Sequence, residues 1–181
     1  GSASQQLSVF AVELQTDDCD PTKTMLVVGG TPGNDSILIS PAGNGGSVEV
    51  TLNGVSQGVF TPTGRIVARG LAGDDVIQVA GGGETSGGLY GDAGDDGLEG
   101  GQGNDVLVGG EGNDYLDGRG GNDVLAGEAD ADQLYGREGD DQLDGGTGND
   151  YLDGGEGYDI ADYSRRFDGG QYSYNWKIKQ V

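Results

Sequence analysis

The sequence contains no histidine and a single cysteine, Cys19. Histidine is the commonest general base and a principal nitrogen ligand, so its absence removes Ser-His-Asp chemistry and the usual zinc and copper centres. One cysteine forbids an internal disulfide. Cys19 has acidic neighbours and no basic or histidine neighbour to activate it, and reads as a buried or bystander thiol. Lys and Arg together number nine, too few for a patch that contacts phosphates, which sets nucleic acid aside as a partner. No stretch is apolar enough to cross a membrane as a helix.

What the chain has instead is glycine, 40 residues, and acid, 31 Asp and Glu, for a formal charge of -22. Both concentrate in residues 91–162, where eight nine-residue units follow without a gap: GDAGDDGLE, GGQGNDVLV, GGEGNDYLD, GRGGNDVLA, GEADADQLY, GREGDDQLD, GGTGNDYLD and GGEGYDIAD. The first position is always Gly: Gly91, Gly100, Gly109, Gly118, Gly127, Gly136, Gly145 and Gly154. The sixth is always Asp: Asp96, Asp105, Asp114, Asp123, Asp132, Asp141, Asp150 and Asp159. The fourth is Gly in seven units (Gly94, Gly103, Gly112, Gly121, Gly139, Gly148 and Gly157), with Asp130 the exception; the eighth is Leu until Ala161 closes the series. These units carry 21 acids against Arg119 and Arg137, so -19 of the -22 resides here. Such a bias usually marks a solvated face or a disordered tail. Disorder, however, does not require Asp at every ninth residue, and a fixed short period is the signature of a solenoid. A Gly-rich chain loses much entropy on folding, so this one needs an added source of stabilisation.

Ahead of the repeats the sequence is β-rich. Residues 7–15, 24–28 and 65–69 read as strands, and 47–60 as a hairpin about Asn53-Gly54, the strongest short hairpin signal. Two outlying copies of the unit occur, GTPGNDSIL with Asp35 in sixth place and GLAGDDVIQ with Asp75; a third, GGETSGGLY, has Gly87 where Asp belongs. Residues 163–181 alternate Tyr172, Tyr174, Trp176 and Ile178 with polar residues and read as a strand that caps the last coil. The expected organisation is a β-rich N-terminal flank over 1–69 with one outlying repeat, a solenoid over 70–162, and an aromatic C-terminal cap over 163–181.

Each unit divides into a six-residue Gly-rich turn and a three-residue strand centred on Leu, whose side chain faces inward while its neighbours face out. Two units make a coil of 18 residues, so stacked coils give two parallel sheets. One Leu ladder is Leu98, Leu116, Leu134 and Leu152; the other is Leu107, Leu125, Leu143 and Ala161. The same arithmetic stacks Asp96, Asp114, Asp132 and Asp150 along one edge and Asp105, Asp123, Asp141 and Asp159 along the other. Carboxylates about 5 Å apart repel, and a hard divalent cation between turns would remove the repulsion. Calcium suits an all-oxygen, flexible shell of carboxylates and carbonyls; magnesium demands a tighter octahedron. Glycines at positions one and four are expected to take left-handed conformations that aim carbonyls at the ion. Adjacent Asp pairs give about six interior sites, with more possible at the ends, where Asp75 and Asp35 are candidates.

Residues 91–162 resemble the RTX, or hemolysin-type calcium-binding, family, with outlying copies at 30–38 and 70–78. The resemblance implies an all-β fold, a right-handed parallel β-roll with calcium between the turns of adjacent coils. It also implies a bacterial protein secreted to the outside or displayed on the surface, folding when it meets calcium. The function expected is a calcium-binding, calcium-folded structural or adhesin-type spacer with no catalysis of its own. The alternative is the calcium module of a secreted protease, lipase or alginate epimerase whose catalytic domain is not in this chain. Competing motifs fail. Gly54-Val55-Ser56-Gln57-Gly58 fits G-x-S-x-G but lies in a hairpin and has no histidine. Asp130-Ala131-Asp132 lacks the Gly and Glu of an EF-hand. An ice-binding face would array Thr, and position three offers only Thr147.

Overall fold

A computed structural model of the chain describes residues 11–43, 45–81 and 85–162; the expected cap at 163–181 lies outside them. The described residues form strands and no helix. In order these are β1 (Ala11–Thr16), β2 (Thr24–Gly29), β3 (Ser36–Pro41), β4 (Val48–Leu52), β5 (Val55–Phe60), β6 (Ile66–Ala72), β7 (Val76–Val79), β8 (Gly87–Ala93), β9 (Gly97–Gly101), β10 (Val106–Glu111), β11 (Tyr115–Gly120), β12 (Val124–Ala129), β13 (Gln133–Glu138), β14 (Gln142–Asp144), β15 (Tyr151–Glu156) and β16 (Ile160–Asp162). They make two eight-stranded sheets, ordered β1-β2-β6-β8-β10-β12-β14-β16 and β15-β13-β11-β9-β7-β3-β4-β5. From β6 onward successive strands alternate between the sheets and pair in parallel with the strand two further on, which is a parallel β-solenoid. Leu107 sits opposite Leu125 and Leu116 opposite Leu134, the register that an 18-residue coil requires.

The eighth-position side chains meet between the sheets. Leu89, Leu98, Leu107, Leu116, Leu125 and Leu134 are fully buried, and they continue without a break into Leu26, Val28, Ile37, Ile39, Ile66 and Ile77. Full burial of one such side chain contributes about 1.5–3 kcal/mol, so strands too short to fold alone are stable only as a stack. At the N-terminal end the parallel pattern stops. β1 pairs antiparallel with β2, and β3, β4 and β5 form an antiparallel meander. The β4–β5 turn is made by Asn53 at φ +50° and Gly54 at φ +75°, as the Asn-Gly signal predicts.

Two local expectations are corrected. Most strands in the repeats run to five to seven residues, although β14 and β16 keep the expected three. β10, for example, runs from position seven of one unit through position three of the next, so position-one glycines other than Gly145 lie within strands. None of these, Gly91 through Gly154, has a positive φ. The left-handed backbone falls at position two, occupied by Asp92, Arg119, Glu128 and Arg137 at φ +75° to +84°, and at position four, as at Gly112 and Gly139. Each non-glycine residue there costs about 1–2 kcal/mol. Ion pairs partly offset that cost: Arg137 with Asp117 at 2.8 Å, Arg119 with Glu99, and Asp92 with Arg69. Second, Cys19 is exposed, which removes the buried one of its two readings and leaves the bystander.

Candidate metal centre

The turns that join the strands bring the sixth-position aspartates into two columns, and one oxygen of each carboxylate is committed to the fold. Along the first column the amide of Asp75 donates to Asp96 Oδ1 (2.7 Å), that of Asp96 to Asp114 Oδ1 (2.8 Å), that of Asp114 to Asp132 Oδ1 (2.9 Å) and that of Asp132 to Asp150 Oδ1 (3.2 Å). Along the second, Gly87 donates to Asp105, Asp105 to Asp123 (2.8 Å), Asp123 to Asp141 (2.8 Å) and Asp141 to Asp159 (3.1 Å). Stacking places the carboxylate of each coil over the backbone of the coil before it.

The other oxygen has no such partner. Oδ2 of Asp75, Asp96, Asp105, Asp114, Asp123, Asp132 and Asp141 is buried and accepts no hydrogen bond, although each residue is at most 3% exposed. A buried polar atom without a partner carries its full desolvation cost, and seven in two rows form a pattern that calls for a ligand. What lies beside them is more oxygen. A Cβ built on Gly100 would sit 2.6 Å from Asp105 Oδ2 and 3.0 Å from the carbonyl of Gly118 on the next coil. The same two kinds of oxygen surround Gly91, Gly118, Gly127 and Gly136. Position one is therefore glycine because a side chain would fill the gap between a carboxylate and a carbonyl.

The electrostatics agree. Burial, opposed by the backbone hydrogen bond, pushes Asp75 and Asp132 up to about 7, and Asp96, Asp105, Asp114, Asp123 and Asp141 up to about 6. The charges of neighbouring acids raise most of them further. Among the described residues no group of three or more Asp, Glu, Cys or His side chains converges to hold an ion. A cation in these gaps would take carbonyls for much of its shell, and that donor set fits calcium.

The ends of the columns differ. Asp150 and Asp159 are half-buried. Asp35, at the start of the first column, is closed: Asn53 Nδ2 donates to its Oδ1 (2.6 Å), and the amide and hydroxyl of Thr31 donate to its Oδ2. It has the unit's spacing but no spare oxygen. At Asp130 the turn survives with φ +74°, well below the +128° of its glycine counterparts Gly112 and Gly139, and Asp132 keeps the arrangement of its neighbours.

A second pair of ladders, formed by position five, is not among the sequence expectations. Asn34 Oδ1 accepts from the amide of Asp74 (3.1 Å), Asp74 from Asp95 (3.1 Å), Asp95 from Asn113 (2.8 Å) and Asn113 from Ala131 (3.2 Å). On the other edge Asn104 accepts from Asn122 (2.9 Å), Asn122 from Asp140 (2.9 Å) and Asp140 from Tyr158 (2.8 Å). These bonds run opposite to the Asp columns. The signal was there: position five is Asn or Asp in six of the eight units.

The model of the RTX calcium-binding nonapeptide repeat, four copies long, matches residues 90–125, 99–134 and 126–161. Residues 90–161 belong to that family. The solenoid is thus a calcium-binding RTX β-roll, a structural fold, and the oxygen-lined gaps lie where its repeats stack. No curated protein matches the chain. The coil containing Asp75 lies outside the matched repeats yet joins the same column through Asp96.

Proposed function

We propose that the chain is a calcium-folded module of a protein that bacteria secrete or display, serving as a spacer that becomes rigid outside the cell. The observation that carries this reading is the two rows of buried carboxylate oxygens without partners, seven in all. Calcium would be held by Oδ2 of Asp75, Asp96, Asp114 and Asp132 on one edge and of Asp105, Asp123 and Asp141 on the other. The carbonyls of position-one glycines such as Gly109 and Gly118 would complete the shell. That makes seven rungs, the six expected within the repeats and one at Asp75. Asp150 and Asp159 serve through their Oδ1 bonds, and Asp35 takes no ion.

The ion supplies positive charge where the fold buries negative charge. The chain supplies the gaps, the glycines that keep them open and the Leu ladders that fix their spacing. Because gaps exist only between stacked coils, binding free energy becomes folding free energy. Circular dichroism of the full chain in calcium, in magnesium and in chelator tests this. Calcium should raise the β signal strongly and magnesium weakly. An equally strong signal over residues 91–162 in chelator, by any residue-resolved probe, would end the proposal.

A further inference from the structure

We infer that residues 11–79 fold without calcium and act as the template on which the calcium-dependent coils assemble, rung by rung away from Asp75. The inference rests on the calcium reading for what happens beyond Asp75, but its own evidence is the closure of the first column. Both oxygens of Asp35 are satisfied by neutral donors outside the column, Asn53 Nδ2 on one and Thr31 on the other. From Asp75 onward that satisfaction ends and the partnerless oxygens begin.

Three further observations place the boundary there. Asn53 is tied into the β4–β5 turn and also bonded to β3 in both directions, its amide to the carbonyl of Ser36 (2.8 Å) and its Oδ1 from the amide of Ser36 (2.7 Å). The hairpin thus clasps the start of the column with groups that need no metal. Both parallel sheets also end on antiparallel strands here, β1 on one and β4–β5 on the other, so further parallel coils stack on the side facing β16. Finally, this end is richer in core and poorer in charge. Leu26, Val28, Ile37, Ile39, Val50, Leu52, Ile66 and Ile77 are buried. Residues 11–79 hold eight acids against Lys23, Arg65 and Arg69, whereas 91–162 hold 21 against two basic residues. One of the eight, buried Asp17, is paired with Arg65 at 3.4 Å and accepts from the Cys19 amide. Solenoid coils nucleate where intrinsic stability is highest and propagate through neighbours.

Hydrogen exchange of the full chain, read by mass spectrometry, tests the inference. In chelator the amides of β2, β3, β6 and β7 should exchange more slowly than those of β10 through β15 by about tenfold or more; calcium should then slow the second group. If β2 through β7 exchange in chelator as freely as the repeats, the template is overturned, whatever calcium does elsewhere. If calcium slows nothing in β10 through β15, the calcium reading fails by a separate signal. If both groups are equally protected in chelator, neither proposal stands. The variant Asn53→Asp sets a carboxylate against Asp35. It should remove chelator-resistant protection of β2 through β7 by about tenfold and raise the calcium midpoint. Thr31→Val, which deletes only the hydroxyl, should do the same to a lesser degree. Unchanged protection in both variants would refute the clasp.

Discussion

At the scale of single residues, the two oxygens of one carboxylate have separate duties. Oδ1 of Asp114 receives the amide of Asp96 and so belongs to the fold; Oδ2 is buried and open and, on the proposed calcium reading, would face the ion. The variant Asp114→Asn separates them. It removes a buried charge while keeping the size and an acceptor. In chelator it should leave the chain no less structured than the parent. In calcium it should cost about 1–3 kcal/mol, because one rung loses its anionic ligand. Thermal melts in both media give the check, and a variant equally destabilised in both would mean that Asp114 is purely structural. Much of this was legible in the sequence, because Asp at every sixth place and Gly at every first place could be counted. The division of labour within the carboxylate was not, since spacing fixes which residues stack and not which oxygen turns inward. Asp35 shows the same limit: it fits the spacing, but the donors that close it, Thr31 and Asn53, lie outside the pattern.

At the scale of the coil, two ladders of side-chain-to-backbone bonds run in opposite directions. Position six reaches back to the preceding coil and position five reaches forward to the next. Ala131 is the break in the second: it donates its amide to Asn113 but has no side chain to offer onward. Ala131→Asn should restore the rung and stabilise the calcium-loaded chain by about 0.5–1.5 kcal/mol. A melting temperature at or below the parent's would show that the ladder adds nothing. The parallel pairing and the Leu ladders were readable from an 18-residue repeat. The length of the strands was not. Left-handed backbone at position two is carried by Asp92, Arg119, Glu128 and Arg137, types that do not announce it, and a pattern search for Gly looks past them. The long side chains at that position pay back in ion pairs across the face, as Arg137 does with Asp117.

At the scale of the whole molecule, charge and proton uptake are linked to folding. Asp75 and Asp132 stand near 7 and five other column aspartates near 6, against roughly 3.9 in an unfolded chain. A folded pKa above the unfolded one favours the fold where the group is protonated. That contribution is complete below about 4 and is lost as pH rises through 6 to 7. In chelator, β-structure should therefore increase as pH falls from about 8 to about 5.5. In calcium the sign reverses, because protons compete with the ion for the same oxygens, so the calcium midpoint should rise over that interval. Dichroism titrations at the two pH values decide it, and a calcium midpoint independent of pH would contradict the assignment of these carboxylates. The seven open oxygens have one more consequence. Each rung that fills adds two positive charges to a chain of formal charge -22, and seven would offset well over half of it. Beyond Asp75, folding and discharge are then one event. Net charge, read from electrophoretic mobility once the change in compactness is allowed for, then follows the number of completed rungs.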